Sequence, residues 1–291
     1  MERVVTSNEE AIEAWDGVLF DTFVEFRDIV TTGLGVQGTV AMELTAPRAG
    51  ERVLDIGCGF GDASQELAAL VGPEGSVHGV DASARFIDVA RQEAAAASLE
   101  NVTFDVADVE AAGFAAEYDL AFSRMGTMFF ANPVAAMRHV CDALVPGGRL
   151  CMVVWRQKVE NDWMYRVEQA VEKFVEEDED SDEPTCGPGP FSMANADTTS
   201  GILKASGFEQ ISLRRSDLPY RVGADLDAAV ALALALGPAG EVMRLAGDDA
   251  VRLRPEIEAA VAGQLAELET PDGVVATSSC WIVTAVKPPG V

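Results

Sequence analysis

Val53-Leu-Asp-Ile-Gly-Cys-Gly-Phe-Gly61 is an apolar run that carries one acid, Asp55, and then breaks into glycines at every second position. A near-continuous apolar run is the pattern of a parallel strand covered on both faces. Gly57, Gly59 and Gly61 mark its exit, where the backbone turns tightly and approaches a ligand more closely than side chains would allow. Asp62 to Val71 follows with Leu67, Leu70 and Val71 at helical spacing. The unit therefore reads strand, glycine turn, helix, and the turn reads as a small-molecule crevice.

The glycine spacing decides what such a crevice takes. Dinucleotide folds use G-x-G-x-x-G, with the third glycine packing helix against strand around a pyrophosphate. Here the order is G-x-G-x-G followed by Asp62, and a carboxylate at that mouth repels a pyrophosphate at the helix N-terminus.

Working outward, Gly75 to Asp81 is a second short strand ending in an acid, roughly 20 residues past the turn, where nucleotide folds place the carboxylate that accepts from ribose hydroxyls. Ala82 follows it, Ser83 is a capping residue, and Phe86 opens the next helix. Val102 to Val109 is a third strand unit with Asp108 at its exit and Val109 beside it. Tyr118 to Phe122 is a fourth strand, followed by Ser123 and Arg124, and Leu150 to Trp155 a fifth. Pro133 starts the helix between these two. Strand–helix repeats with right-handed crossovers predict a doubly wound, mostly parallel sheet, with Asp55, Asp81, Asp108 and Ser123 at its C-terminal edge. Glu209 to Arg214 reads as strand six and Gly273 to Val286 as the closing strand.

Before the first strand, Ala11, Ile12, Trp15, Val18, Leu19 and Phe23 fall at helical spacing, giving an N-terminal helical lid over residues 1–46 or a cover for the sheet edge. Residues 156–200 interrupt the sheet pattern as a cap insertion. Within it, the acidic run 172–183 reads as a solvated helix end and loop, and Gly187 to Phe191 as a rigid bend.

Asp55 to Gly61, with Ser123 to Phe130, Pro146 to Leu150, Trp155-Arg156, Asn161 to Trp163, Gly187 to Phe191 and Ala205 to Phe208 in order, resembles the class I S-adenosylmethionine-dependent methyltransferases. The resemblance is to the small bacterial members similar to the ubiquinone/menaquinone-type enzymes, and it runs from about residue 11 to 286. It implies a Rossmann-like, seven-stranded sheet over 47–286, with an antiparallel last strand. It also implies S-adenosyl-L-methionine as cofactor, S-adenosyl-L-homocysteine as product, and methyl transfer to N, O, S or C of a small molecule by in-line displacement. Asp55, Gly57, Gly59, Gly61, Asp81, Ala82, Phe86, Asp108, Val109, Ser123 and Arg124 are the expected cofactor contacts. Asp108 takes the adenine amine, and Phe86 and Val109 the adenine walls. Trp15, Phe20, Met125, Phe129, Trp155, Arg156, Trp163 and Phe191 are the expected acceptor pocket. Such a displacement needs alignment and dryness rather than a covalent residue, so no catalytic nucleophile is assigned. Two other readings stay open: an NAD-type oxidoreductase on the same fold, and a non-catalytic S-adenosylmethionine-binding protein.

The formal net charge of -27 over 291 residues disfavours nucleic acid and anionic membrane surfaces as partners. No signal peptide or spanning segment is expected, so the reading is a cytoplasmic monomer or homodimer. The five cysteines form no C-x-x-C pair and read as reduced thiols. With only His78 and His139, no metal site is expected.

Overall fold

A computed structural model describes residues 8–174 and 188–290. The acidic run from 175 onward, Cys186 and Gly187 lie outside the described residues. The strands are β1 (Arg52–Ile56), β2 (Ser76–Asp81), β3 (Val102–Val106), β4 (Tyr118–Arg124), β5 (Leu144–Trp155), β6 (Glu209–Gly223), β7 (Glu269–Thr270) and β8 (Gly273–Val286). Around them stand α1 (Asn8–Asp16), α2 (Val18–Glu25), α3 (Arg27–Thr45), α4 (Asp62–Val71), α5 (Ala84–Ala96) and α6 (Pro133–Ala143). They continue with α7 (Asp162–Val171), α8 (Ala196–Ala205), α9 (Leu226–Ala235), α10 (Pro238–Ala246), α11 (Asp248–Arg252) and α12 (Arg254–Leu265).

One sheet runs β3-β2-β1-β4-β5-β8-β6, with β7 hydrogen-bonded to the start of β8. β1 to β5 are parallel, and β8 is antiparallel to both β5 and β6. The eighth strand, absent from the sequence reading, is the two-residue β7. β1 forms because Val53, Leu54 and Ile56 each lose all solvent contact between its two neighbours. The chain leaves β1 toward β2 but leaves β4 toward β5. Right-handed crossovers therefore put α4 and α6 on opposite faces, and the sheet has its switch point between β1 and β4. Local chemistry starts the helices as expected: Ser83 accepts from the Phe86 N–H, and Asn132 accepts from the Ala135 N–H just ahead of Pro133.

Two departures from the sequence reading bear on function. First, the 1–46 segment divides. α3 packs on β5, β6 and β8 as part of the main helical layer, while α1 and α2 lie near the glycine turn and α5. Second, β6 runs nine residues beyond Arg214. Trp155, the last residue of β5, pairs with Cys280, which pairs with Ser216. From Asp217 and Ser279 outward the β6–β8 ribbon therefore projects past the ligand-facing edge of the sheet. α7, α9, α10 and α12 pack there around a separate core with Tyr220, Val222, Val274 and Ala276. The cap is thus built from α7 together with residues after 224, not from 156–200 alone. Among the described residues no single helix is long and apolar enough to cross a membrane.

Candidate active site

The turn after β1 folds over the end of β2, because the Gly57 and Cys58 N–H groups both donate to the Val80 carbonyl, at 2.9 and 3.1 Å. Gly57, Gly59 and Gly61 all have left-handed φ, +64°, +54° and +81°. A Cβ at Gly57 would stand 2.8 Å from the Gly126 backbone, and one at Gly61 2.8 Å from the Phe104 ring. Two of the three glycines are thus required on both conformational and steric grounds. The Gly59 N–H donates to Asp81 Oδ2 at 3.0 Å, and the Ser83 N–H donates to Asp81 Oδ1 at 3.0 Å. These bonds aim the carboxylate while leaving each oxygen a lone pair for a further donor. Burial raises the Asp81 carboxyl above its usual range despite the Ser83, Gly59 and Ala82 N–H groups that oppose it.

Asp55 does a different job. It is buried and accepts from the Ser64 hydroxyl at 2.5 Å, tying β1 to the first turn of α4. Burial pushes its carboxyl up to about 6. Ser123 is likewise spent inside the fold: fully buried, it donates to the Ile56 carbonyl at 2.7 Å and joins β4 to β1. Both side chains are thus engaged within the fold, at the sheet edge where the sequence reading placed cofactor contacts.

α1 and α2 are fastened down. Asp16 Oδ1 accepts from the Ser83 hydroxyl at 2.7 Å and from the Arg85 N–H at 2.9 Å, adding a second cap to α5. The Arg85 guanidinium returns to the Asp16 carbonyl and Asp21 and lies 4.0 Å over the Phe20 ring. At the start of α3, Arg27 pairs with Glu93 and Asp62 and stacks 4.3 Å over Phe60. Beneath these clasps Phe20, Phe60 and Phe86 form a buried aromatic cluster, with Phe86 4.9 Å from Phe20 and 4.7 Å from Phe60. Phe86, expected as an adenine wall, is thus enclosed between α1–α2 and the glycine turn. Trp15 extends the cluster to Phe129, 4.9 Å away. Ala82, between Asp81 and the cap, is half-buried.

Across the switch point stands Arg124, at the end of β4. Its stem fits a slot on α3, where a Cβ at Gly38 would meet Arg124 Cδ at 3.1 Å. Among the described residues it makes no ion pair or hydrogen bond, although its charge opposes the rise that burial imposes on the carboxyls of Asp55 and Glu66. Met125 follows with φ +65°, an uncommon conformation for a side chain of its kind and one that concentrates at ligand edges. Asp108 lies half-buried at the exit of β3, its carboxylate accepting from the Glu110 N–H, and Val109 packs into the core.

The remaining expected pocket residues are each engaged within the fold. Trp155 is buried in the core. Arg156 is buried against Asp217, at 2.6 Å, and Glu160, 5.2 Å from the Trp281 ring centre, so its charge is neutralised within the fold. Trp163 sits on the cap against Tyr220, 5.6 Å between ring centres, and Phe191 packs on the main core. A cavity of about 450 Å³ beside the N-terminus of α8, with Trp281 and Glu160 in its wall, takes no residue from the glycine turn, Asp81 or Arg124. Four cysteines are buried free thiols, and no cluster of metal ligands occurs among the described residues.

A family model described as a methyltransferase domain matches residues 47–199, more than half of the chain. The chain belongs to this methyltransferase family. The matched stretch takes in the glycine turn, Asp81, Asp108, Arg124 and the first part of the cap. The methyltransferase domain is 39% identical to aklanonic acid methyltransferase DauC of Streptomyces sp. (strain C5) over 114 residues, 39% of this chain and 52% of that protein. It is 27% identical to the ubiquinone/menaquinone biosynthesis C-methyltransferase UbiE of Stutzerimonas stutzeri (strain A1501) over 183 residues, 59% of this chain and 70% of that protein. The chain thus spans about half the length of DauC. Among solved structures, YcgJ from Bacillus subtilis superposes with a TM-score of 0.55 at 17% identity, covering 89% of this chain and 99% of its own. The [4+2]-cyclase SpnF superposes at 0.52 with 22% identity, covering 87% and 81%. At these identities the likeness is one of fold, the class I methyltransferase α/β fold.

Sequence reading did not assign the clasps made by Asp16 and Arg27, nor the packing of Gln37 and Tyr220 between α3 and the β6–β8 ribbon. Their partners lie far along the chain, and the one visible signal was the unusual run of glycines, Gly33, Gly35 and Gly38, inside a 19-residue helix.

Proposed function

We propose that the protein transfers a methyl group from S-adenosyl-L-methionine to a small-molecule acceptor. The observation that carries this reading is the bipolar crevice at the switch point. An acid with spare lone pairs, Asp81, stands on one side of the glycine turn and an unpaired guanidinium, Arg124, on the other. An adenosyl amino acid has ribose hydroxyls for the first and a carboxylate for the second. A dinucleotide would bring its pyrophosphate to a turn flanked by Asp55, Asp62 and Asp81, which disfavours an NAD-type oxidoreductase.

When bound, S-adenosylmethionine supplies a methyl group activated by its sulfonium charge. The chain's own residues align and keep dry. Asp81 accepts the ribose hydroxyls, Arg124 holds the carboxylate, and Asp108 with the backbone of Ala82 borders the adenine. Gly59 and Gly61 let the backbone approach, and Trp15 with Phe129 closes the lid side against water. No side chain is assigned as a general base. We read 47–286 as the catalytic unit and α1–α2 as its lid. The protein is proposed as a cytoplasmic monomer or homodimer, and the large negative charge supports a reading without nucleic-acid or membrane partners.

Titration calorimetry with S-adenosylhomocysteine and NAD⁺ in parallel tests this. The expected result is saturable binding of the first alone; binding of NAD⁺ alone would overturn the proposal.

A further inference from the structure

The end of α1 and the start of α5 meet, and each helix supplies the group that the other's terminus lacks. Asp16, the last residue of α1, reaches the N-terminus of α5, where its Oδ1 accepts from the Ser83 hydroxyl at 2.7 Å and from the Arg85 N–H at 2.9 Å. Arg85, in the first turn of α5, reaches back and donates to the carbonyls of Asp16 at 3.2 Å and Gly17 at 3.4 Å. A helix N-terminus carries unpaired N–H groups and favours an anion, and a C-terminus carries unpaired carbonyls and favours a cation. The carboxylate and the guanidinium therefore suit both ends at once. Arg85 also pairs with Asp21 at 2.7 Å, which ties α2 into the same joint.

What the joint grips is Ser83, which has no solvent exposure. A hydroxyl has one hydrogen to give, and this one goes to a charged acceptor on another helix, while the oxygen accepts from the Phe86 N–H at 3.4 Å. The backbone of the same residue faces the proposed cofactor crevice, since the Ser83 N–H donates to Asp81 Oδ1 at 3.0 Å. Two hydrogen bonds through one buried residue thus lead from the lid to the acid proposed to take the ribose. The other Asp81 oxygen is held by the Gly59 N–H, which belongs to the glycine turn and not to the lid. Asp16 is also near enough for its charge to add, after burial, to the rise of the Asp81 carboxyl.

Resting on the methyltransferase reading, we propose that Asp16 is a positioning residue for cofactor binding, which holds Ser83 and through it fixes Asp81 Oδ1 for the ribose hydroxyls. Docking of α1 and binding of the cofactor then strengthen each other, because both favour one arrangement of the Ser83 segment and such coupling is reciprocal. This role differs from shielding. A lid that only covers the cofactor adds contacts of its own, and their loss is independent of Asp81.

A double-mutant cycle on the affinity of the full chain for S-adenosylhomocysteine, measured by calorimetry, tests this. Asp16→Ala is expected to weaken binding about five- to tenfold. Asp16→Asn, which keeps an acceptor for the Ser83 hydroxyl and the Arg85 N–H, is expected to stay within about twofold of the wild type. In the Asp81→Ala background, Asp16→Ala is expected to change affinity by less than about twofold, because the group it positions is gone. Ser83→Ala cuts the same path one step nearer Asp81 and should behave as Asp16→Ala does in both backgrounds, so the cycle can be closed if Asp16→Ala fails to fold. Wild-type affinity in Asp16→Ala overturns the proposal, as does an equal loss with and without Asp81, or a loss in Asp16→Asn as large as in Asp16→Ala. Failure of S-adenosylhomocysteine itself to bind the wild type counts instead against the methyltransferase reading.

Discussion

The Gly59 N–H donates to the Asp81 carboxylate at 3.0 Å, so the turn after the first strand and the acid ending the second form one rigid cradle. Removing the acid loses both the proposed ribose contact and the tie that shapes the turn. Asp81→Ala is expected to weaken S-adenosylhomocysteine binding by about 1.5–3 kcal/mol, the usual worth of hydrogen bonds to a charged group, while Asp81→Asn retains part of it. Calorimetry reads this directly, and an unchanged dissociation constant would remove Asp81 from the site.

Arg124 should act on one end of the ligand alone. Arg124→Ala is expected to weaken S-adenosylhomocysteine by tenfold or more and to leave 5′-methylthioadenosine, which lacks the amino-acid carboxylate, within about twofold. Equal losses for both ligands would show that Arg124 supports the crevice rather than contacting the carboxylate.

Asp55 makes stability depend on pH in an unusual direction. Its folded carboxyl titrates at about 6, above the ordinary Asp value, because burial disfavours the charge. Above pH 6 it is ionised both folded and unfolded, and folding bears the full cost. Between pH 6 and about 4 the folded chain takes up a proton that the unfolded chain does not, so this residue's contribution grows as pH falls. Asp55→Asn, which keeps an acceptor for Ser64, should stabilise the ligand-free protein at pH 8 by up to about 3 kcal/mol and flatten this dependence. Urea unfolding at pH 8 and pH 5 measures both, and a destabilised Asp55→Asn at pH 8 would contradict the argument.

The lid should behave in the opposite way. The Arg85 N–H and then the Ser83 hydroxyl hold the Asp16 carboxyl below its usual range. Its clasp is therefore complete above the ordinary Asp value and is lost only as pH falls through the lower folded value. Amide hydrogen exchange over residues 8–25 should show the same protection at pH 5 and pH 8 once corrected for intrinsic rates. Asp16→Ala should raise exchange there, by about 1 kcal/mol of local opening, without affecting β1.

Gly33 sits inside a helix, where alanine is intrinsically better by about 1 kcal/mol. The Tyr220 ring nevertheless occupies the space a Cβ needs. Gly33→Ala is expected to destabilise the fold by about 1–3 kcal/mol of overpacking, read as a lower melting temperature. A rise would mean that the cap yields easily at this seam.

The parts of this molecule legible in its sequence are those written locally. β1 and its turn announce themselves by apolar run and glycine spacing, and β8 occupies the expected Gly273–Val286. Strand six reads as Glu209 to Arg214, short of Pro219. In the structure β6 is the sheet's outermost main strand, where a missing N–H is tolerated, and it continues to Gly223. That extension carries the cap, so the cap was the less legible half. Arg156 shows the same limit: beside Trp155 it reads as a pocket residue, but Asp217, sixty-one positions on, neutralises it. Gln37 gave no local signal, since its meaning depends on Ser278, 241 positions away.

Methyl transfer itself is the central claim, and it can be measured without knowing the acceptor. The full chain is incubated with methyl-tritiated S-adenosylmethionine and a deproteinised small-metabolite extract. Label in a small organic product and S-adenosylhomocysteine are quantified together, with Asp81→Ala as control. The account predicts equimolar label and S-adenosylhomocysteine, both strongly reduced in the variant. Tight cofactor binding with neither product formed would contradict it.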